Sequence, residues 1–317
     1  MDEFSLIEKF FLKKTISRSD VLMGIGDDGA LLQVPKEQLL VASIDTLIEG
    51  VHFLRETNPF DIGYKALTVN LSDLAAMGAE PAWATLALTV PRNDSSWFDE
   101  FTEGFFQIAH QFNVQLVGGD TTKGPLTITV QAHGFVPPGE ALSRSGAKVG
   151  DKIYVSGTVG DAGFALQVAI GKYDLPLQEK EFFLHRLNRP VPQIKLGKLL
   201  RGLANSAIDI SDGLFADLKH ILKSSRVGAT IVTDNIPLSD AIKKYLPFDQ
   251  AKELALTAGD DYELCFTVSP EKEGQLLALL RQEKIACSCI GEIKEELECY
   301  FIDYNEKLSE EGFRHFK

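Results

Sequence analysis

Five times along this chain an apolar run ends, an aspartate appears, and a small residue or a new helix follows. The strings are Gly26-Asp27-Asp28-Gly29, Ser43-Ile44-Asp45, Val117-Gly118-Gly119-Asp120, Asp209-Ile210-Ser211-Asp212-Gly213 and Gly259-Asp260-Asp261. Taken singly, each is ordinary turn chemistry, because a short carboxylate bonds nearby backbone N–H groups. Asp212 before Gly213-Leu214 also reads as a simple N-cap. Asp73 is different, since it lies inside a helical stretch beside Leu71, Leu74 and Ala75, where an acid needs a partner or water. Taken together, the strings constrain the fold. Strand termini on one edge of a sheet converge, and ligands of open α/β folds bind there.

Carboxylates gathered at such an edge repel by about 4 kcal/mol per pair at 4 Å and an effective dielectric of 20. The gathering is tolerable if some acids stay protonated or if cations neutralise them. Oxygen donors without His or Cys favour hard cations, Mg²⁺ or Mn²⁺ over Zn²⁺. The residues thus point to a multi-Mg²⁺ site that gathers a nucleotide and a phosphorylated acceptor. Phosphoryl transfer needs mainly positioning and charge neutralisation, which such a site supplies.

The remaining pattern is a mixture of strands and helices over 317 residues, enough for two domains. Phe4, Ile7, Phe10 and Phe11 share a helical face. Leu39 to Ile44 reads as a buried strand. Asn58-Pro59 opens a helix that runs to about Met77 and stops at Gly78. Trp83 to Val90 is a strand. Ser95 or Ser96 caps a helix whose stripe Phe98, Phe101, Phe105, Ile108 and Phe112 reads as core packing. Val114 to Val117 is a strand broken by Gly118-Gly119, and Leu126 to Val130 has the period of a half-buried strand. Pro137-Pro138-Gly139 and the polar stretch to Asp151 mark a boundary, giving domains over 1–138 and 149–317. Beyond it come a strand over Lys152 to Ser156, a glycine turn, a helix to Ile170, a break at Arg189-Pro190-Val191-Pro192, a helix from Leu214 and a strand over Ala229 to Val232. The class is α/β or α+β, with a mixed sheet flanked by helices in each domain.

Charge and cysteine usage narrow the function. The net charge of −13 disfavours nucleic acid or an anionic membrane as the main partner. The start Met1-Asp2-Glu3-Phe4 lacks the basic opening of a signal peptide, and no apolar run approaches a bilayer span. Cys265, Cys287, Cys289 and Cys299 fit neither a zinc pattern nor a disulfide framework and read as reduced thiols, mostly in the core. A cytoplasmic location is expected. No P-loop string and no protein-kinase motif set occurs. Gly157 to Gly163 reads as a strand-to-helix turn rather than a dinucleotide fingerprint, because its glycines step by three and three. Gly118-Gly119 is the better phosphate cradle. His52 reads as a structural histidine or a functional one, and Arg144 as a solvated charge or a phosphate ligand.

Several strings closely resemble the thiamine-monophosphate kinase family, within the aminoimidazole-ribonucleotide-synthetase-like superfamily. They are Gly24-Ile25-Gly26-Asp27-Asp28, Ile48-Glu49-Gly50-Val51-His52-Phe53, Val69 to Ala79, Val117 to Thr122, Ser143 to Ala147, Ile208 to Leu214 and Gly259 to Leu264. They occur in the family's order and cover nearly the whole chain. The resemblance implies two α/β domains, dimerisation through the N-terminal sheets, and transfer of the ATP γ-phosphoryl group to thiamine monophosphate. It places Asp28, Asp45, Asp73, Asp120, Asp209 and Asp212 on metal-ligand positions, with Ser43 and the backbone of Ile44 as further ligands. It places Gly119, Asp120, Arg144 and Ser211 at ATP, and His52, Asp260 and Phe313 around the thiamine moiety. Asp260 stands where many members carry glutamate, one methylene longer. The implied mechanism is direct in-line transfer with no general base. The rival readings are another ATP-dependent enzyme of the superfamily, such as aminoimidazole ribonucleotide synthetase, a non-catalytic nucleotide- and metal-binding module, and an oxidoreductase using the Gly157 loop. The sister selenophosphate synthetases and hydrogenase-maturation proteins use cysteines near the N- or C-terminus, and this chain has none there.

Overall fold

The computed structural model describes residues 3–303. Phe313 lies outside the described residues. The chain divides into two compact units. The first runs to Leu74 and resumes over Ala79–Gly139, and the second comprises Ala75–Gly78 and the chain from Glu140.

Unit 1 contains α1 (Glu3–Ile7), β1 (Val21–Met23), β2 (Leu31–Leu32), β3 (Leu39–Ile48), most of α2 (Pro59–Ala76), β4 (Glu80–Val90), α3 (Ser95–Gln111), β5 (Gln115–Lys123) and β6 (Thr127–Val136). Its main sheet has the order β3-β6-β4-β5, antiparallel except for the β4–β5 pair. Asn58 opens α2 as expected, its side chain accepting from Phe60 N–H at 2.8 Å. At the far end the Ala79 N–H bonds back to Leu74, and Gly78 takes a left-handed φ of 67°. Helices α2 and α3 cross at paired glycines. A Cβ on Gly63 would meet the Phe101 carbonyl at 1.9 Å, and one on Gly104 would meet Phe60.

Three expectations for unit 1 are corrected. The strand from Leu39 is not buried. It runs to Ile48 at the sheet edge, with Leu39, Leu40 and Ile44 47–62% exposed. Its apolar content reflects an uncovered outer face rather than a core. Asp94, not a serine, caps α3, accepting from the Ser96 and Trp97 N–H groups. The glycine pair does not break β5, which continues to Lys123. Gly119 lies opposite Leu86, where a Cβ would sit 1.9 Å from the Leu86 carbonyl, so only glycine lets the two strands pair there. The α3 stripe is core, with Phe98, Phe101, Phe105 and Ile108 fully buried. Each such ring contributes roughly 1.5–3 kcal/mol by leaving water.

Unit 2 contains β7 (Lys152–Ser156), α4 (Asp161–Ala169), α5 (Leu177–Asn188), α6 (Ile194–Leu199), β8 (Ala204–Asp209), α7 (Leu214–Ser225), β9 (Gly228–Val232), α8 (Asp240–Tyr245), α9 (Phe248–Thr257), β10 (Leu264–Val268), α10 (Pro270–Glu283), β11 (Cys287–Lys294) and β12 (Cys299–Ile302). The sheet order is β12-β9-β11-β7-β10-β8, with only β12–β9 parallel. Its core gathers Ile153, Val155, Phe164, Phe183, Ile208, Leu218 and Ile290. All four cysteines are free thiols. Cys265 is buried in that core and the other three are half-buried. Both units are mixed sheets with helices, as the pattern of runs predicts. Among the described residues no helix is long and apolar enough to cross a membrane.

Candidate active site

In unit 1 the chemistry comes from two places on the sheet. The first is β3, whose alternation puts Ser43 and Asp45 on one face and Ile44 on the other. Asp73, in the last turn of α2, meets that face. Its carboxylate accepts a short hydrogen bond from the Ser43 hydroxyl and shares another with Asp45. Burial and the negative charge of Asp73 push Asp45 up to about 7. Two carboxylates and a hydroxyl, held together where proton sharing is needed to relieve repulsion, form an oxygen-only donor set of the kind a hard divalent cation takes.

The second place is a cleft of about 610 Å³ lined by the loop Gly26–Ala30, by Thr85 and Leu86 of β4, and by Leu116–Thr121 of β5. Ile7 and Phe11 close its apolar side. Three expected site residues, Asp28, Gly119 and Asp120, line this one cleft. Gly26, with φ of 124°, turns the loop, and the Asp28 N–H bonds to the Asp27 carboxylate at 2.8 Å. Among the described residues no three His, Cys, Asp or Glu side chains converge as a ready metal cage. Unit 1 offers a close acid pair and a separate acid-lined cleft.

His52 sits in the turn after β3. Its Nδ1 accepts from the Ile48 N–H at 3.0 Å, so the neutral ring carries its proton on Nε2. The Lys65 ammonium, 2% exposed, reaches the His52 carbonyl at 3.5 Å. Sequence reading passed over Lys65. The available signal was a single lysine inside the otherwise apolar stretch of α2.

In unit 2, Asp209 ends β8 and is buried. Asp212 does not cap α7. The N–H groups of Ser211, Asp212 and Gly213 all donate to the Asp217 carboxylate, at 3.0–3.1 Å. Burial and the Asp212 charge push Asp217 up to about 7, against the pull of those three donors. Asp217 is a second residue that sequence reading missed; its mark was an acid in the first turn, four residues after Gly213. The Ser211 and Ile210 carbonyls in turn accept from the Asp260 and Tyr262 N–H groups, at 2.9 and 2.8 Å. Asp260 and Tyr262 both have left-handed φ, 68° and 51°, a conformation that costs a bulky residue roughly 1–3 kcal/mol. Arg144 is exposed, on a segment tied to β8 by the Ala207 N–H to Ser143 carbonyl bond at 2.9 Å. The Gly157–Gly160 turn is the strand-to-helix turn expected, with φ of 56° and 92° at its two glycines. Its Gly160 N–H is occupied by the Asp261 carboxylate at 2.7 Å.

Comparison with known proteins places this arrangement. Residues 26–136 match the family model for the N-terminal domain of AIR synthase related proteins, and residues 148–303 match that for the C-terminal domain. The thiamine-monophosphate kinase of Escherichia coli (strain K12) is 48% identical over 99% of this chain and 98% of its own length. The chain belongs to the thiamine-monophosphate kinase family. It is therefore an enzyme of the kinase class. Solved structures agree. The thiamine-monophosphate kinase from Stenotrophomonas maltophilia K279a matches with a TM-score of 0.88 at 45% identity, covering 95% of this chain and 96% of that one. AaThiL, complexed with AMPPCP and TMP, matches with a TM-score of 0.80 at 32% identity, covering 99% and 97%.

Proposed function

We propose that this chain transfers the γ-phosphoryl group of ATP to thiamine monophosphate, giving thiamine diphosphate and ADP. A terminal phosphate oxygen of thiamine monophosphate attacks the γ-phosphorus in line, and the bond from that phosphorus to the β–γ bridging oxygen breaks. The nucleophile needs no general base, because a phosphate monoester with a second pKa near about 6 is largely deprotonated at neutral pH. In unit 1, Asp28, Ser43, the Ile44 carbonyl, Asp45, Asp73 and Asp120 would hold Mg²⁺; in unit 2, Asp209 and Asp212 take the same role. Bound Mg²⁺ supplies charge screening for the two phosphate anions. Gly119, Asp120, Arg144 and Ser211 contact ATP, and His52 and Asp260 contact the thiamine moiety. Phe313, the remaining expected substrate contact, is proposed from family resemblance alone.

The observation that carries this reading is the Asp45–Asp73 pair in a chain of this family. Two ionised acids folded against each other oppose folding unless they share a proton or a cation neutralises them, and a cation is what the reaction requires. Support for the substrates comes from AaThiL, whose complex holds AMPPCP and TMP. The test is ADP release from ATP and Mg²⁺ with thiamine monophosphate, run beside formylglycinamidine ribonucleotide. Turnover with the second substrate and not the first would reassign the chain within its superfamily. ATP binding without turnover of either would make it a binding module.

The division of labour follows the boundary near Gly139. Residues 1–138 bind metal and nucleotide, and 149–317 complete the nucleotide and substrate contacts. We further propose a cytoplasmic homodimer formed through unit 1. The outer edge of β3 exposes Leu39, Leu40, Ile44 and Ile48, an apolar strand edge of the kind proteins cover. Light scattering on the wild type and on Ile44→Lys tests this, with a dimer expected for the first and monomer for the second.

A further inference from the structure

The acids of unit 2 that the reaction does not use are organised around one loop. Gly259–Glu263 joins α9 to β10 and carries Asp260, the proposed contact to the thiamine moiety. Asp261 and Glu263 follow it, 4% and 3% exposed. Both Asp261 oxygens accept from the start of α4, Gly160 N–H at 2.7 Å and Ala162 N–H at 3.4 Å. A carboxylate there also faces the positive end of the helix dipole. Glu263 accepts from the Ser156 hydroxyl at 2.6 Å and faces Arg186 at 3.6 Å. Gly157, with φ of 56°, leaves the space that carboxylate fills; a Cβ there would lie 2.2 Å from it. Arg186 also faces Asp161 at 3.5 Å and donates to the Thr158 carbonyl at 2.9 Å. The Ser239 hydroxyl completes Asp161 at 2.6 Å.

This network fixes Asp261 and Glu263, which follow Asp260, while the backbone at Asp260 and Tyr262 sits in a left-handed conformation. A loop so held returns to a relaxed backbone when its anchor is removed. The Tyr262 hydroxyl adds a direct constraint, donating to Asp260 Oδ1 at 3.1 Å. We propose that Asp261 and Tyr262 are positioning residues for substrate binding: Asp261 pins the strained loop to the start of α4, and the Tyr262 hydroxyl sets the Asp260 carboxylate. The proposal rests on the reading of Asp260 as a substrate contact.

The test is a double-mutant cycle on the full chain, read as KM for thiamine monophosphate, KM for ATP, kcat and Tm. Asp260→Ala raises KM for thiamine monophosphate. Asp261→Asn presents an amide NH₂ where one backbone N–H needs an acceptor, and raises the same KM about tenfold. Tyr262→Phe keeps the ring and raises it about three- to fivefold. KM for ATP stays within twofold throughout. In the Asp260→Ala background, Asp261→Asn and Tyr262→Phe add less than twofold, because their effect runs through Asp260. If Asp261→Asn fails to fold, the cycle is run with Tyr262→Phe alone. The proposal is overturned if the flanking variants lower Tm and leave KM untouched, or raise KM equally with and without Asp260. If Asp260→Ala itself leaves KM unchanged, Asp260 is no substrate contact and the proposal falls with it, while ADP release by the wild type still decides the function separately.

Discussion

A buried acid pair in unit 1 and a network of buried acids in unit 2 are held by different partners. In unit 1 the influences acting on Asp45 are burial, the charge of Asp73 and a hydrogen bond with Asp73, and all of them push it up. In unit 2 the acids Asp261 and Glu263 suffer the same burial, yet backbone N–H groups, the Ser156 hydroxyl and the Arg186 guanidinium pull them back. Burial pushes Asp261 up to about 8 even with both its oxygens accepting N–H bonds, which offset part of that cost. The contrast separates a carboxylate pair whose members are each other's neighbours, the pair we propose as a cation site, from acids held by backbone donors, a hydroxyl and a guanidinium.

The largest effect should come from breaking the satisfied side. Arg186→Met removes the guanidinium that faces Asp161 and Glu263, whose side chains are 0% and 4% exposed. Losing one partner of a buried charge set typically costs about 3–5 kcal/mol. Urea denaturation should show a loss of that size. A loss below about 1 kcal/mol would mean that hydroxyls and backbone donors alone hold the acids, and the contrast between the units would disappear.

The Asp45–Asp73 pair should behave in reverse. Asp45→Asn removes one of two repelling carboxylates, so Tm in the absence of divalent cations stays level or rises. ADP release at saturating Mg²⁺ falls by at least about 100-fold, the scale expected for losing a group that anchors charge stabilisation. Asp73→Asn should do the same. Full activity in either variant would remove the pair from the metal site. A smaller loss is expected from Gly119→Ala. Its Cβ would meet the Leu86 carbonyl at 1.9 Å, so β4 and β5 must part beside the cleft, at about 1–3 kcal/mol. Chemical denaturation and ATP affinity should both register the change.

What the sequence made legible follows from the range of the forces involved. The bounds of α2 were readable, because Asn58, Pro59 and Gly78 act within one turn of their own position. The burial of the α3 stripe was readable, because periodicity alone selects the inward face. The exposure of β3 was not. An apolar run looks the same whether it faces a core or an edge, and only the strand order reveals that β3 has a single neighbour. Nor was the continuity of β5 through Gly118-Gly119, since the close approach to Leu86 comes from another strand. The same division holds in the site. Asp28, Gly119 and Asp120 could be marked one by one from their local strings and they line one cleft, although Gly119 and Asp120 lie within β5 rather than at its end. The role of Asp217 depends on how the Ser211–Gly213 loop turns its N–H groups back, and that of Asp261 on N–H groups from a helix about a hundred residues earlier, neither of which the local sequence displays.

The smallest effect tests the satisfied side at its surface. Glu292 on β11 accepts from Lys152 at 2.7 Å and from Lys294, and these two ammonium groups hold its carboxyl at about 2. A carboxylate depressed in the folded state binds its proton more readily when unfolded. Its contribution is therefore complete above the unfolded value of 4.5 and is lost as pH falls from there toward 2. The side chains are about one-third exposed, so solvent screens most of the benefit, and an exposed pair is worth about 0–1 kcal/mol. Wild type and Glu292→Gln should differ in Tm by a degree or two, on the order expected for such a pair in a large chain. The gap should close between pH 4.5 and 2, and it should also narrow at high salt, where exposed charges are screened. Buried Asp161 and Glu263 should show no such salt response, because solvent ions do not reach them. An equal salt dependence in Arg186→Met and Glu292→Gln would mean that the internal and surface ion pairs of unit 2 work through the same screened electrostatics.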